Sequence, residues 1–185
     1  MRDLARHPST ARFIATKLAR HFSADEPSSR LISRLEGVYK RSDGDLLRVT
    51  AALAEAPEVW KEPLTKVRNP TEYIISLLRA TGLEPNMESI NSALRDLGQS
   101  AFSAPSPKGW PDVAAAWIAP ESLMRRIELA GEAARNMKSG MNPLQLAQDT
   151  IGPVARADTL KWIEAAPDPQ TGFTLALAAA EAQRR

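Results

Sequence analysis

Two tryptophans, an aspartate and an arginine in the middle of the chain are the residues best suited to binding a small molecule. They are Trp110, Asp112, Trp117 and Arg126. Aromatic rings line ligand clefts, and the planar guanidinium of arginine donates a fork of hydrogen bonds to a carboxylate or phosphate. The same residues also suit a structural role, with the rings in the core and Arg126 paired with a carboxylate or with loop carbonyls. The residue types favour the structural role, and both remain open.

Residues for common catalytic and metal chemistry are scarce. The chain has no cysteine, and its two histidines, His7 and His21, have arginines rather than carboxylates near them. It has no His-x-x-x-His pair for zinc, no calcium-loop spacing, no nucleophile elbow and no phosphate-binding glycine loop. Asp43 and Asp45 directly precede a predicted helix, where capping explains them better than acid–base chemistry. We therefore predict no catalytic residue, no metal site and no cofactor.

The first long helix has a basic face. Residues 1–41 carry nine Lys and Arg against four Asp and Glu, within a total net charge of only +2. At about 100° per residue, Arg12, Lys17 and Arg20 lie opposite the apolar stripe of this helix, and Phe13 lies among them. An exposed ring beside cations suits a protein partner or a second copy of the chain. A solvated face is the commoner role of such residues.

The elements that position these residues have helical periodicity, and no run alternates apolar and polar residues long enough to predict a strand. Caps, prolines and glycines divide the chain into ten predicted helices. They cover approximately residues 9–22, 28–40, 46–56, 70–81, 86–97, 112–117, 120–139, 144–151, 158–165 and 171–184. The pattern predicts an all-α, compact multi-helix domain of about nine to ten helices, with a long ordered loop rich in Trp and Pro. We expect Trp110 to be largely buried, since ring burial must offset the entropy of ordering this loop.

Length and composition place few limits on function. With 185 residues, of which 43% are hydrophobic and 25% charged, the chain is long enough for one globular domain. No apolar run approaches the roughly 20 residues that span a bilayer. Residues 1–8 contain no apolar core of a signal peptide. We expect a single helical domain over residues 1–185 and leave its compartment open.

Four groups of residues resemble a known family. They are residues 7–22; residues 42–46 with 59–60 and 66–70; residues 97–99 with 102, 108–110, 117–118 and 126; and residues 180–185. In this order, over nearly the whole chain, they are similar to the C-terminal part of the uncharacterised bacterial family called domain of unknown function 1800. The last group departs from the family's usual Ser-Pro-Glu-Phe-Gln-Arg ending, because alanines replace its proline and phenylalanine.

The resemblance implies a helical fold. It also implies that the chain is the C-terminal half of a larger family architecture, or a short member. Members are often exported and often encoded beside a sulfatase-like family, which the resemblance extends to this chain only as an expectation. Because the family has no established activity, the resemblance implies no mechanism.

Three functions are consistent with these observations. The best supported is a structural or protein-interaction module that is not catalytic on its own. The second is one wall of an enzyme or ligand-binding cleft that an absent N-terminal half completes. The third is weak nucleic-acid binding through the basic N-terminal helices, against which the near-neutral total charge and the lack of a helix-turn-helix pattern count.

Overall fold

The computed structural model describes residues 2–137 and 140–185, and its regular structure is helical. About 64% of the residues are in helices, and nine of the eleven α-helices have at least seven residues. The described residues contain no β-strand, only an isolated antiparallel bridge between Val67 and Arg184. The prediction of an all-α fold with about nine to ten helices is confirmed.

The chain divides into two compact units, Met1–Lys66 (unit 1) and Val67–Arg185 (unit 2). None of the described helices is long and apolar enough to cross a membrane. The expectation that residues 1–185 form one domain, and the C-terminal half of a larger architecture, stays a prediction.

Unit 1 is built around small residues on its longest helix. Its helices are α1 (Arg2–Arg6), α2 (Pro8–Phe22), α3 (Ser29–Arg41), α4 (Leu46–Ala54) and α5 (Pro57–Trp60). Ala11, Ala15 and Ala19 of α2 are almost fully buried, and their small side chains let α3 and α4 approach closely. The core cluster consists of Ala11, Ala15, Ala19, Leu31, Leu35, Tyr39, Val49, Leu53 and Ala56.

Polar caps fix where the helices of unit 1 begin. His7 caps α2, and its Nδ1 accepts a hydrogen bond from the Ser9 backbone N–H at 3.2 Å. Pro8 follows at the first helical position, where a missing N–H costs nothing. Asp45 accepts hydrogen bonds from two backbone N–H groups of α4. It therefore has the capping role that its sequence position suggests.

Unit 2 has its main core between its last four helices. Its helices are α6 (Pro70–Thr81), α7 (Met87–Asp96), α8 (Pro120–Arg135), α9 (Pro143–Ile151), α10 (Ala157–Glu164) and α11 (Pro169–Ala178), with short 3-10 helices at Ala114–Ala116 and Gly152–Val154. Helix α11 packs against α8, α9 and α10. A Cβ at Gly172 would lie 2.9 Å from the Pro143 side chain, so this close approach of α11 requires glycine.

Helix α6 has the most complete end signals of unit 2. The Asn69 side chain accepts a hydrogen bond from the Glu72 backbone N–H, and the Glu72 carboxylate accepts one from the Asn69 backbone N–H, both at 3.0 Å. This capping box satisfies two of the N–H groups that a helix start leaves unpaired. Gly82 ends the helix at φ 66°. Apolar residues of α6, of α7 and at the C-cap of α7 form a second cluster of Tyr73, Ile74, Leu94 and Leu97.

Several predicted boundaries differ from the structure. The predicted helix over residues 112–117 is only the 3-10 helix, and α8 ends at Arg135, with residues 138–139 lying outside the described part of the chain. The last helix ends at Ala178 because Ala179 is extended, with ψ 148°, and the chain turns back to the Val67 bridge. Tertiary pairing here overrides the high helix propensity of the alanine-rich sequence. Helices α1 and α5 were not predicted.

Candidate functional site

The two tryptophans of the predicted site lie together in the structure. The ring centroids of Trp110 and Trp117 are 6.0 Å apart with the planes tilted by 55°, a favourable aromatic geometry. Trp117 is buried, and its indole N–H donates to the Pro111 carbonyl at 3.1 Å. Trp110 is only half-buried, so the expectation that it would be largely buried is corrected in favour of Trp117. Asp112 is half-buried and has an interaction partner of its own.

Arg126 is fully buried and bonded to residues far from it in sequence. One terminal nitrogen, Nη1, donates to the Gln183 side-chain oxygen at 2.9 Å, and the other, Nη2, donates to the Arg68 carbonyl at 2.8 Å. The guanidinium carbon lies 4.9 Å from the centre of the Tyr73 ring, within cation–π distance. The Tyr73 hydroxyl donates to the Arg126 carbonyl at 2.9 Å. We call Arg68, Tyr73, Arg126 and Gln183 the Arg126 centre.

Burial changes the electrostatics of this centre. Desolvation lowers the pKa of Arg126 and of Arg68 below the ordinary arginine value. Burial also raises the pKa of the Tyr73 hydroxyl, which stays neutral and donates its hydrogen bond. The guanidinium is held by neutral oxygens and a ring, and its buried Nε has no hydrogen-bond partner among the described residues. Arginine can donate in this way to carbonyl groups that close a fold.

Three of the four predicted site residues therefore have two separate roles. The tryptophans pack on each other, while the guanidinium fork of Arg126 is used on Gln183 and Arg68. This arrangement matches the structural role considered above, in which Arg126 pairs with loop carbonyls. A ligand carboxylate at Arg126 would have to displace those internal bonds.

A second buried polar centre of unit 2 was missed by the sequence analysis. Glu181 is almost fully buried, and its Oε1 accepts from the Arg156 backbone N–H at 3.0 Å, from the Arg156 guanidinium at 3.2 Å and from the Thr159 hydroxyl at 2.9 Å. Burial alone would raise the pKa of Glu181, but these hydrogen bonds outweigh burial and lower the pKa. A lone carboxylate within an alanine-rich stretch was the available sequence clue.

The predicted partner face on α2 is exposed to different degrees. Phe13 exposes 62% of its surface, and Lys17 is exposed and forms no ion pair with the described residues. Arg12 bridges to Glu36 at 3.1 Å, and the half-buried Arg20 donates to the Asp25 carbonyl at 3.0 Å. We call Arg12, Phe13, Lys17 and Arg20 the α2 face.

Glu36 connects the α2 face to helix α3. A hydrogen bond from Lys40 lowers the pKa of Glu36, and the bond from Arg12 lowers it further. The carboxylate therefore stays charged at neutral pH and holds Arg12 in place. This leaves Lys17 as the cation of the α2 face with the most freedom to meet a partner.

Titratable groups elsewhere in the described residues do not gather into a metal site. No three His, Asp or Glu side chains converge within residues 2–137 and 140–185 in a way that could hold a metal ion.

Trp60 is a further residue that the sequence analysis left unassigned. It is exposed, yet its indole N–H donates to the carbonyl of Ala54, the last residue of α4, at 2.7 Å. The bond satisfies a carbonyl that the helix end leaves unpaired.

Comparison with known families assigns the chain to one of them. The family described as Protein of unknown function (DUF1800) matches residues 1–184, essentially the entire sequence. The chain belongs to the DUF1800 family. No curated protein and no solved structure matches this DUF1800 chain. The family resemblance noted in the sequence is thereby confirmed.

Proposed function

We propose that this DUF1800 chain is a helical protein-interaction module, not catalytic on its own, that binds a partner through the α2 face. The observation that carries the proposal is Phe13, a large ring with 62% of its surface exposed among three cations. Rings and arginines are the residue types that dominate binding energy at protein interfaces. The α2 face supplies both on one rigid helix.

The use of polar groups in unit 2 supports the same proposal. Arg126 and Glu181, the two most deeply buried charged side chains there, are bonded to other parts of the same unit. Hydrogen bonds of this kind hold a fold together, and the bonded atoms are not free to bind a substrate. The α2 face, by contrast, keeps a ring in solvent together with a lysine that pairs with no carboxylate in the described part of the chain.

The chemistry of the α2 face defines its partner. A partner needs an apolar pocket for the Phe13 ring and at least one carboxylate within reach of Lys17 or Arg12. A second copy of the chain is the simplest candidate partner, so we propose weak homodimerisation. Binding through exposed cations should weaken as salt is added.

Sedimentation velocity across a concentration series tests the proposal. We expect concentration-dependent association of the wild-type chain, reduced at high salt and lost in Phe13→Ser. Phe102→Ser is the matched control, because Phe102 is a still more exposed ring that lies in unit 2, in the loop of residues 97–119 that contains Trp110 and Trp117 (the tryptophan loop). A chain that stays monomeric at all concentrations, with no change in Phe13→Ser, would contradict both self-association and the role of Phe13.

The tryptophan loop carries a second candidate function. Trp110 is half-exposed on top of the buried Trp117, an arrangement that can serve as a flat wall of a ligand cleft. The alternative in which an additional domain completes this cleft rests on the same residues. Saturable quenching of tryptophan fluorescence by aromatic ligands, lost in Trp110→Ala, would favour it.

Nucleic-acid binding is the weaker alternative. Internal partners already occupy Arg12 and Arg20, which leaves few cations on the α2 face to neutralise phosphates. Non-specific DNA binding depends steeply on salt because it releases counterions. Fluorescence anisotropy with labelled duplex DNA at two salt concentrations separates this alternative from protein association.

A further inference from the structure

A small cavity in unit 1 lies where α1, the start of α2 and the turn after α3 meet. Its volume is about 160 Å³, and it is partly open to solvent. A cavity of about 150 Å³ is large enough to enclose a benzene molecule. Two of the segments that line it belong to the residues through which the chain resembles its family, residues 7–22 and residues 42–46.

Part of the cavity lining is apolar. Ala5, Pro8, Ala11 and the ring of Tyr39 line it. The Tyr39 hydroxyl donates to the Ala5 carbonyl at 2.9 Å, so its polar atom is used within the protein. The wall therefore offers a hydrocarbon group a place out of water.

Two cations and a histidine lie at the rim. Arg6 bonds the Asp43 carboxylate through one terminal nitrogen at 2.6 Å, and Lys40 bonds Glu36 at 2.6 Å. Arginine has five N–H groups and lysine three, so each cation keeps donors for a second acceptor. His7 uses its Nδ1 to cap α2, which leaves the Nε2 atom for a ligand.

The turn after α3 gives the cavity a fixed wall. Asp43 and Gly44 both have left-handed backbone, with φ 56° and 86°. A Cβ at Gly44 would lie 3.3 Å from the Tyr39 ring, so the turn is folded tightly against that ring. Non-glycine residues in this conformation carry a small cost and cluster at functional sites. Here the conformation brings the Asp43 carboxylate to Arg6.

We propose that this cavity binds a small organic monocarboxylate. The carboxylate lies against Arg6 and Lys40, and the apolar body of the ligand packs on Ala11 and the Tyr39 ring. The lining contains two cations and one carboxylate, a balance of +1, which suits a monoanion better than a phosphate dianion. This site is separate from the α2 face and does not depend on the proposed partner.

Titration with benzoate, followed by amide NMR shifts of the full chain, tests the proposal. We expect saturable shifts at His7, Ala11 and Gly44 with a dissociation constant of about 1 mM, typical of so small a ligand. Benzyl alcohol has the same ring without the charge, and inorganic phosphate has charge without the apolar body. Both should bind at least about tenfold more weakly, benzyl alcohol because it lacks a charge-assisted hydrogen bond and phosphate because it buries no apolar surface.

Two variants locate the site. Arg6→Gln should weaken benzoate binding about five- to tenfold, while Arg48→Gln should leave it unchanged. Both arginines are mostly exposed and paired with a nearby carboxylate, but only Arg6 lines the cavity. Ala5→Leu, which places a larger side chain at the cavity mouth, should abolish binding without affecting the core.

Three results would overturn the proposal. They are the absence of saturable shifts up to about 20 mM benzoate, equal affinity for benzoate and phosphate, and equal weakening by Arg6→Gln and Arg48→Gln. If Arg6→Gln changes the fold, Ala5→Leu and Lys40→Gln provide the same test from other sides of the cavity.

Discussion

The Arg126 centre of unit 2 and the α2 face of unit 1 use arginine in opposite ways. Arg126 is fully buried, donates hydrogen bonds to a carbonyl and an amide oxygen, and lies over a tyrosine ring. Arg12 is mostly exposed and shares Glu36 with Lys40. A buried charge needs internal partners, so its chemistry serves the fold, whereas an exposed charge can exchange partners. Surroundings, rather than residue type, decide which arginine can meet another molecule.

The largest effect should come from Arg126→Ala. Truncation leaves a void and removes the N–H groups that donate to the Gln183 side-chain oxygen and to the Arg68 carbonyl. We expect these losses to lower the unfolding free energy by about 3–5 kcal/mol. Urea denaturation followed by circular dichroism measures it. Arg125→Ala, one residue away and exposed, is the control and should change stability by less than about 0.5 kcal/mol. Equal effects of the two substitutions would show that the Arg126 centre does not hold unit 2.

Trp110 and Trp117 should contribute differently to the free energy of unfolding. Trp117→Ala should destabilise the protein by about 3–4 kcal/mol because its ring is buried, and Trp110→Ala by about 1–2 kcal/mol because its ring is half-exposed. Denaturant titration of both variants compares them directly. A cost of Trp110→Ala below about 1 kcal/mol would instead strengthen the ligand-wall alternative for the loop.

Glu181 should give unit 2 a distinct response to acid. Its pKa is lower in the folded protein than the ordinary glutamate value, so its stabilisation is complete above about pH 5 and is lost as the pH falls through the folded pKa. Glu181→Gln should cost about 1–2 kcal/mol at pH 7, through the loss of charge-assisted hydrogen bonds. The difference between wild type and variant should shrink as the pH falls from 5 to 3.

Denaturation series at several pH values measure that difference. Glu132→Gln, an exposed carboxylate on α8, is the control. A difference between wild type and Glu181→Gln that does not change with pH would contradict the assignment of the acid response to this carboxylate.

The smallest effect on stability should come from Phe13→Ser. Because the Phe13 ring lies mostly in solvent, we expect a change below about 0.5 kcal/mol in unfolding free energy. Thermal or chemical denaturation checks this. Unchanged stability together with lost association would complete the contrast with Arg126, whereas a large loss of stability would place Phe13 in the fold instead.

Most helices could be predicted because capping and helix-breaking residues close in sequence determine where they begin and end. Asn69 and Pro70 start α6 and Gly82 ends it, as the pattern of cap, proline and glycine indicates. The end of α11 could not be predicted in this way, because an alanine-rich sequence gives no local reason to stop at Ala178. Its end depends on pairing with residues more than 100 positions earlier.

The site was only partly predictable for the same reason. The proximity of Trp110 and Trp117 follows from their short spacing and their shared loop. The partners of Arg126 lie at positions 68, 73 and 183, and no local pattern connects them. His7 lies just before the first predicted helix, but its place beside Asp43 in the cavity depends on the turn that follows α3. Long-range contacts of this kind require the fold itself.

The pairing of Val67 with Arg184 has a consequence for how the protein is made. All core residues of unit 1 lie between positions 11 and 56, so that unit can fold while the ribosome is still translating the second. In unit 2, by contrast, the first residue, Val67, pairs with Arg184. The neighbouring Arg68 N–H donates a hydrogen bond to the Gln183 carbonyl at 2.9 Å. Closure of unit 2 must wait until residue 184 has left the exit tunnel. During that interval, Arg126 lacks its Gln183 partner and the Arg68 N–H lacks the Gln183 carbonyl, so we expect nascent unit 2 to be at its most vulnerable to proteases and to capture by chaperones.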